Sequence, residues 1–245
     1  MRQRMGWRAA LAALAVLAAA PAASAPRARP QGSALFLDGT RRPVRWIDGD
    51  TFRVLDGPQK GRSARVVGVN SLESYGPVHR WGRWRPAQLL GIAREATRRV
   101  KVGEWHCQAS AGDDAYGRIL ATCPDAARML VRAGLAMVFA VGEPPDPELL
   151  ALQRKAQARG AGMWRKGVPP LIPSSVHSAD EPGLEKGAYD RIVDTRTGTT
   201  EPRPHQEVYR VCQEVCVGEG ADRACMTWVP FERRYEDRPP CLFRR

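Results

Sequence analysis

The sequence predicts an α+β fold built mainly from a β barrel, and two observations lead to this expectation. Short runs of residues alternate between apolar and polar side chains with the period of a β-strand, and turn residues separate them. Segments with helical spacing follow the third and the fifth of these runs. Five short strands with helices in these places are typical of a five-stranded Greek-key barrel of the OB type. We therefore expect such a barrel with about three helices, followed by a small C-terminal extension stapled by disulfides.

The strands are expected on either side of clear turn signals. Residues 35–37 form a short leading strand, and residues 44–46 and 52–54 flank Asp48-Gly49 in the pattern of a hairpin. Residues 64–69 form the third barrel strand. The fourth and fifth strands cover residues 100–107 and 119–123.

Three helices complete the predicted barrel unit. Residues 87–99 place their apolar side chains on one stripe, with arginines and Glu95 on the opposite face. A short helix starts near Asp125 and stops at Gly134, and a third follows Pro147 over residues 148–159. Residues 74–86 contain glycine and prolines and are expected to form a loop.

The N-terminus has the features of a signal peptide. Three arginines within the first eight residues precede an apolar run over residues 11–20, and Ala23-Ser24-Ala25 fits a cleavage site. The apolar run is shorter than the roughly 20 residues that span a membrane, and no other stretch approaches that length. We expect residues 1–25 to be removed and the mature protein to be secreted or periplasmic, without a stable membrane span.

The remaining chain divides into three parts on composition. Residues 34–166 contain all the predicted barrel elements. Residues 167–204 are rich in Gly, Pro, Ser and Thr with little periodicity, and we interpret them as a linker or an irregular packing segment. Residues 205–245 form a cysteine-bearing extension, with a possible helix over residues 205–216.

The chain is strongly basic, which indicates an acidic partner. The net charge is +12 and falls to +9 when residues 1–25 are removed. Nucleic acids, anionic membranes and acidic glycans are all attracted by such a surface. A GC-rich genome, which favours arginine codons, gives the same composition, so the charge alone does not identify the partner.

One group of side chains has the composition of a site that cleaves phosphodiesters. That reaction needs a base for the attacking water, positive charge for the phosphorane and usually a metal on a phosphate oxygen. Asp50, Asn70 and Glu73 supply oxygen atoms, which suit Ca²⁺ or Mg²⁺. Arg65 and Arg118 supply planar forks that suit phosphate. The alternatives are that Asp48-Gly49-Asp50 is only a tight turn and that Arg65 and Glu73 form a structural ion pair.

Four motifs resemble, in order and spacing, the staphylococcal nuclease (thermonuclease) family. The resemblance covers roughly residues 35–164. The motifs are Ile47-Asp48-Gly49-Asp50-Thr51, Arg65-Val66-Val67-Gly68-Val69-Asn70-Ser71-Leu72-Glu73, Tyr116-Gly117-Arg118 and Leu130-Val131-Arg132-Ala133-Gly134-Leu135-Ala136.

The resemblance implies a five-stranded OB barrel that cleaves DNA and RNA with Ca²⁺. Asn70 leaves another divalent metal open, and we expect a monomer. By matching position, Asp50 resembles a metal carboxylate, Ser71 the residue whose backbone carbonyl binds the metal, and Glu73 the general base. Arg65 and Arg118 resemble the two arginines that bind the scissile phosphate. Tyr116, in the Tyr-Gly-Arg motif, is expected to line the nucleotide pocket.

The sequence departs from the family pattern inside this site. Asn70 stands where an aspartate is usual, so its side-chain oxygen can bind a metal but brings no charge. Leu72 stands where a proline is usual. Asn70 therefore favours an alternative function, a catalytically weak or inactive OB-fold module that binds nucleic acid. A third option is an envelope-associated structural protein in which the C-terminal extension, rather than the barrel, carries the function.

An arginine- and tryptophan-rich segment is a weaker candidate for nucleic-acid binding. Arg80, Trp81, Arg83 and Trp84 could stack bases and hold phosphates. Packing of the two tryptophans over the first helix is an equal alternative. We expect His79, beside this segment, to lie at the surface.

An even number of cysteines in an exported chain indicates disulfides. In a simple hairpin Cys107 and Cys123 would lie too far apart to bond, although an offset connection would bring them together. The resemblance to exported family members implies that these two are paired. The other cysteines allow three pairings or, with unusual spacing, a zinc site; they are Cys212, Cys216, Cys225 and Cys241.

Overall fold

The computed structural model describes residues 34–184, 187–235 and 239–242. The predicted signal peptide lies outside these residues. Among the described residues, no helix has the length and apolar character needed to cross a bilayer.

The described chain contains fifteen strands and three α-helices. The helices are α1 (Pro86–Val100), α2 (Pro124–Arg132) and α3 (Pro147–Ala158). The strands are β1 (Ala34–Leu37), β2 (Thr40–Arg42), β3 (Val44–Trp46), β4 (Thr51–Val54), β5 (Ser63–Val66), β6 (Val69–Ser71), β7 (His79–Trp81), β8 (Glu104–Asp113), β9 (Ile119–Thr122), β10 (Ala136–Val138), β11 (Leu171–Ser175), β12 (Ala188–Asp194), β13 (Thr200–His205), β14 (Glu214–Val217) and β15 (Ala224–Thr227).

The predicted OB-type barrel is confirmed, although its nearly closed sheet has seven strands rather than the five predicted. Their order is β2-β1-β8-β9-β5-β4-β3, and the β1–β8 and β5–β9 pairs are parallel. The predicted hairpin is confirmed, because β3 and β4 pair in antiparallel register with Trp46 opposite Phe52. Apolar side chains from the barrel, α1 and α2 fill one continuous core.

The third predicted strand is broken at Gly68. This glycine has a φ of +81°, which turns the chain and separates β5 from β6. Strand β6 leaves the barrel sheet and pairs with β10, with Asn70 opposite Met137. The break thereby directs Asn70 and Ser71 away from the ladder that holds Arg65.

The predicted helices are confirmed, with small shifts at their ends. Helix α1 buries the expected apolar stripe, and it includes Val100, which we had assigned to the fourth strand. That strand, β8, therefore begins at Glu104 and continues to Asp113. Helix α3 begins after Asp146, whose side chain accepts hydrogen bonds from the backbone N–H groups of Glu148 and Leu149.

The prediction that residues 167–204 are a linker or irregular segment is wrong. They contain an antiparallel sheet of order β11-β12-β13. The glycine and proline content had indicated a segment without strands. Pro202 and Pro204 nevertheless lie in β13, because it is an edge strand and an edge strand tolerates a missing backbone N–H. Gln153 of α3, fully buried, joins this sheet to the barrel unit by donating to the carbonyl of Thr195 (2.7 Å).

Residues 205–216, all of which the structure describes, contain no helix. Cys212 has a φ of +67° at a turn, and the chain then enters β14. Strand β15 pairs with β14 on one side and with β7 on the other, with Met226 opposite His79. The predicted loop over residues 74–86 thus contains a strand, β7, and the C-terminal extension pairs with it through β15.

All six cysteines form disulfides, so none of them can bind zinc as a thiolate. The expected pairing of Cys107 with Cys123 is confirmed, because β8 runs beyond Cys107 and provides the offset connection that the pair requires. The register that places Gln108 opposite Thr122 brings Cys107 next to Cys123, with Cα atoms 4.3 Å apart. The other pairs are Cys212–Cys241 and Cys216–Cys225.

His79 lies in the interior rather than at the surface. It is 2% exposed, and its Nε2 donates to the carbonyl oxygen of Pro173 in β11 (3.0 Å). Because Pro173 belongs to the sheet that follows the barrel unit, this bond ties the two parts of the chain together. Burial lowers the pKa of His79 from 6.5 to about 4.

We expect His79 to make the protein less stable in mild acid. The pKa of His79 is 6.5 in the unfolded chain and about 4 in the folded chain. Between these two pH values the imidazole is protonated in the unfolded chain and neutral in the folded chain. The resulting stability is complete above pH 6.5 and falls with pH, by about 3 kcal/mol in total. Urea unfolding at pH 7 and pH 4 measures the loss. His79→Gln should show a smaller loss over the same range; an equal loss in both proteins would remove His79 as the cause.

Candidate active site

Asp50 lies at the centre of the site, at the end of the turn between β3 and β4. It is 2% exposed, and its carboxylate accepts three hydrogen bonds from protein groups. Its Oδ1 accepts from Arg65 Nη1 (2.9 Å) and from Thr51 Oγ1 (3.0 Å), and its Oδ2 accepts from the backbone N–H of Ser71 (2.6 Å). A single carboxylate therefore joins β4, β5 and β6.

The turn that carries Asp50 is packed closely against α1. A Cβ atom at Gly49 would come within 2.7 Å of the Cβ of Ala96, so a larger residue would push the turn off the helix. The backbone N–H of Asp50 donates to Asp48 Oδ1 (3.0 Å), which closes the turn. The Asp-Gly-Asp sequence is thus both a tight turn and a source of two carboxylates.

Arg65 binds two oxygen atoms of the site at once. It lies on β5 opposite Thr51, and its side chain is 15% exposed. Nη1 donates to Asp50, and Nη2 donates to Asn70 Oδ1 (2.8 Å). The guanidinium also lies over the ring of Phe139, 5.2 Å from its centroid. Its conformation is therefore fixed before any substrate binds.

Asn70 and Ser71 present further oxygen atoms beside Asp50. Both are buried on β6. Asn70 receives the Arg65 bond at its oxygen and donates through Nδ2 to the carbonyl of Ser71 (3.1 Å). Of the three residues predicted to bind metal, Ser71 is therefore hydrogen-bonded to both Asp50 and Asn70, and Arg65 joins Asp50 to Asn70.

Glu73 follows β6 and is close enough to this cluster to interact with its charges. Burial and the negative charge of Asp50 raise the pKa of Glu73, while Arg65, Arg234 and Arg118 act to lower it. We had considered a Glu73–Arg65 ion pair, but the hydrogen-bonded acid of Arg65 is Asp50.

Asp48 is a third carboxylate of the site, and we had assigned it only a turn. Burial, and then the charges of Asp50 and Glu73, raise its pKa well above the ordinary value. In the sequence, the Asp-Gly-Asp motif is the feature that could have identified Asp48 as a site residue. The extension also contributes Arg234, whose charge acts on Glu73. No local motif in the sequence indicates this role of Arg234.

Arg118 lies in the loop between β8 and β9 and is oriented by Asp114. Its Nε donates to Asp114 Oδ2 (2.7 Å), and the backbone N–H groups of Tyr116 and Arg118 donate to Asp114 Oδ1. Burial opposes ionisation of Asp114, but these bonds outweigh it and hold its pKa below the ordinary value. The Arg118 guanidinium lies 5.4 Å from the centre of the Tyr116 ring, which is 53% exposed.

The arginine- and tryptophan-rich segment is not arranged for base stacking. Trp81 and Trp84 are 1% and 5% exposed and belong to a second core, as the packing alternative supposed. Arg80 makes a two-pronged ion pair with Glu214 of β14 (2.8 and 2.6 Å). Arg83 is exposed.

The donor set of the site has the chemistry that a hard divalent cation prefers. Burial, and then repulsion among the carboxylates of Asp48, Asp50 and Glu73, raises the pKa of Asp48 and of Glu73. The Asn70 amide and the Ser71 carbonyl add neutral oxygen atoms beside them. Carboxylate, amide and carbonyl oxygens are the ligands that Ca²⁺ and Mg²⁺ prefer, and a cation would relieve the repulsion.

Part of the chain is similar to a known family. Residues 63–166 match the family model described as staphylococcal nuclease homologue. The match includes Arg65, Asn70, Ser71, Glu73 and Arg118, and it ends at the 3₁₀ turn Gly162–Lys166, which follows α3. The turn bearing Asp50 precedes it and the C-terminal extension follows it. A search of curated proteins gives no significant match.

Proposed function

Residues 63–166 belong to the staphylococcal nuclease family, and from this premise we propose that the protein is an exported, metal-dependent nuclease that hydrolyses phosphodiester bonds of DNA or RNA. The observation that carries the proposal is the hydrogen-bonded group of Asp50, Arg65, Asn70 and Ser71. Glu73 and Arg118 lie within electrostatic reach of it.

In the proposed mechanism Glu73 acts as the general base. It takes a proton from the water that attacks phosphorus, and the 5′-oxygen then leaves and takes up a proton from solvent, so that the products carry a 3′-phosphate and a 5′-hydroxyl. The burial that raises its pKa also makes its carboxylate a stronger base than an exposed glutamate.

Arg65 and Arg118 neutralise the charge that grows on the phosphorane. Both are held in place before substrate arrives, Arg65 by Asp50 and Asn70 and Arg118 by Asp114. Arginines fixed in this way stabilise a transition state without having to reorganise.

Asp50, Asn70 and the carbonyl of Ser71 would hold Ca²⁺ or another divalent cation. When bound, the cation supplies a Lewis acid for a non-bridging phosphate oxygen. Asp50 also fixes the position of the other two residues, through the Ser71 N–H and through Arg65.

The test is nuclease activity of the purified mature protein on DNA and RNA in Ca²⁺, Mg²⁺, Mn²⁺ or chelator. The proposal predicts cleavage that a chelator abolishes. Absence of cleavage in all three metals would overturn it.

Asn70 supports a second candidate, a nucleic-acid-binding module without turnover. Its oxygen is bonded to Arg65, and it brings no charge to a metal. Salt-dependent binding of DNA without any cleavage would identify this module.

We expect Asn70→Asp to bind divalent cations more tightly than the wild type. The change adds a negative charge beside Asp50, and charge count sets the affinity of such sites, so a gain of about tenfold or more is expected. Isothermal titration with Ca²⁺ measures it. Asn70→Ser removes the amide without adding charge and serves as the control. No gain in the aspartate variant would place the cation elsewhere.

Export is supported by the N-terminal sequence and by the three disulfides, which persist in oxidising compartments. N-terminal sequencing of the protein recovered from the periplasm or medium tests it. A chain that begins at Met1 and stays in the cytosol would contradict export.

A further inference from the structure

The C-terminal extension reaches the loop that carries Glu73. Gly76 has a φ of +62°, and a Cβ atom there would lie 2.7 Å from the Cα and the carbonyl oxygen of Arg234. The two backbones are therefore in direct contact. The extension is held in this place by the β7–β15 ladder.

Three aromatic rings gather at this contact. The ring centres of Tyr235 and Phe231 are 5.9 Å apart, and those of Tyr235 and Tyr75 are 6.4 Å apart. Phe231 and Tyr235 are each 62% exposed, although the hydrophobic effect normally favours the burial of such large rings. We call Tyr75, Phe231 and Tyr235 the aromatic platform. Burial, and then the negative charge of Glu73, raises the pKa of Tyr235, which places this ring within electrostatic reach of the site.

The platform has a rigid support. Arg234, which precedes Tyr235, donates from Nη2 to Glu181 (2.9 Å) and from Nε to the carbonyl of Val229 (2.8 Å). Glu181 also accepts from the indole N–H of Trp228 and interacts with His177 (3.1 Å). These bonds hold Arg234, next to Tyr235, against residues that follow the barrel unit.

A second cluster, made of two tyrosines and an arginine, lies at Arg118. Tyr116 has the Arg118 guanidinium at 5.4 Å from its ring centre and the Arg191 guanidinium at 5.8 Å. Arg191 belongs to β12 and donates from Nη2 to the hydroxyl of Tyr189 (3.0 Å). We call Tyr116, Tyr189 and Arg191 the arginine–tyrosine cluster. Two of its three members come from outside the family domain.

Exposed rings beside guanidinium groups are the features that bind unpaired nucleotides. Bases stack on aromatic faces, and arginines bind the phosphates between them. In a duplex the faces of the bases are occupied by their neighbours, so such rings can be used only by a single strand or a locally opened one.

We propose that residues that follow the barrel unit contribute to the substrate-binding site, and that the aromatic platform and the arginine–tyrosine cluster bind unpaired nucleotides flanking the scissile phosphate of a single strand. The placement of the scissile phosphate rests on the proposed nuclease function. Binding of nucleotides to these two clusters does not depend on cleavage, and it can therefore be tested separately.

The experiment measures binding of a fluorescent single-stranded oligonucleotide, and of its duplex, to full-length mature protein carrying Glu73→Gln to prevent turnover. Tyr235→Ala and Arg191→Ala are added one at a time. Arg196→Ala is the matched control, because Arg196 is an exposed arginine at the end of β12 that pairs only with Asp194 in the described structure. Melting temperatures confirm that each variant folds.

Each test variant is expected to weaken single-strand binding by about 5- to 100-fold and to reduce the preference over duplex. Arg191→Ala should also make the salt dependence shallower by about 0.7 in slope, while Arg191→Lys restores it. Tyr235→Trp should restore binding, since a ring is what is needed. Unchanged affinity in Tyr235→Ala and Arg191→Ala, or an equal loss in Arg196→Ala, would overturn the proposal. Wild-type cleavage assayed alongside shows separately whether the nuclease function holds.

Discussion

Glu73→Gln is expected to lower the kcat for DNA cleavage by about 10²- to 10⁴-fold, the usual contribution of a general base. Glutamine has nearly the same shape but cannot accept the proton of the attacking water. The change also removes one of three carboxylates that repel one another, so the fold should be as stable as the wild type or more so. Loss of activity would then reflect chemistry and not unfolding.

Steady-state cleavage of a fluorogenic oligonucleotide, together with urea unfolding, measures both effects. Glu104→Gln is the control, because Glu104 is an exposed residue at the start of β8 that pairs with His106. A Glu73→Gln enzyme that cuts at the wild-type rate would assign the base to another group.

Arg65→Ala is expected to damage stability and activity together, whereas Arg118→Ala should affect activity alone. Removing Arg65 leaves Asp50, whose side chain is 3% exposed, as a buried carboxylate without its counterion. Such a loss typically costs about 3–5 kcal/mol. Arg118 pairs with Asp114 four residues away, and its side chain is 27% exposed, so its removal should change the free energy of unfolding by less than about 1 kcal/mol.

Each arginine should contribute about 10²- to 10³-fold to kcat, in line with other groups that stabilise a transition-state charge. Urea unfolding and cleavage kinetics on the same preparations separate the two effects. Arg65→Lys keeps the positive charge but cannot bind Asp50 and Asn70 through one planar fork, so it should recover stability better than activity. If Arg65→Ala is as stable as Arg118→Ala, the Asp50–Arg65 pair does not hold the site together.

The parts of the fold that follow from local patterns could be predicted from the sequence. The β3–β4 hairpin and the three α-helices have clear periodicity and turn signals, and they occur where the sequence indicates. The resemblance likewise identified Asp50, Arg65, Asn70 and Ser71, which the structure brings into contact.

The parts that depend on distant contacts could not be predicted in this way. Strand β7 looks like a loop because its pairing partner, β15, lies more than a hundred residues later. Strand β13 contains prolines that only an edge position permits. His79 seemed a surface residue because nothing in its neighbourhood indicates that Pro173 will cover it.

The same limit applies to the site. The aromatic platform combines Tyr75 with two rings from a segment more than 150 residues away, and no motif connects them. Asp48 was visible in the sequence, but a turn explained it fully until the charges of Asp50 and Glu73 were placed beside it. Long-range packing, rather than local pattern, therefore decides how far the site extends beyond the family domain.

The most direct test of the nuclease function counts the phosphodiester bonds cleaved per bound protein molecule. Fluorescence anisotropy and cleavage are followed in the same sample of mature wild-type protein and labelled single-stranded DNA with Ca²⁺. We predict many bonds cleaved per protein molecule, 3′-phosphate ends on the products, and no cleavage after chelation. Tight binding with no bond cleaved in Ca²⁺, Mg²⁺ or Mn²⁺ would contradict the nuclease function and leave a nucleic-acid-binding module in its place.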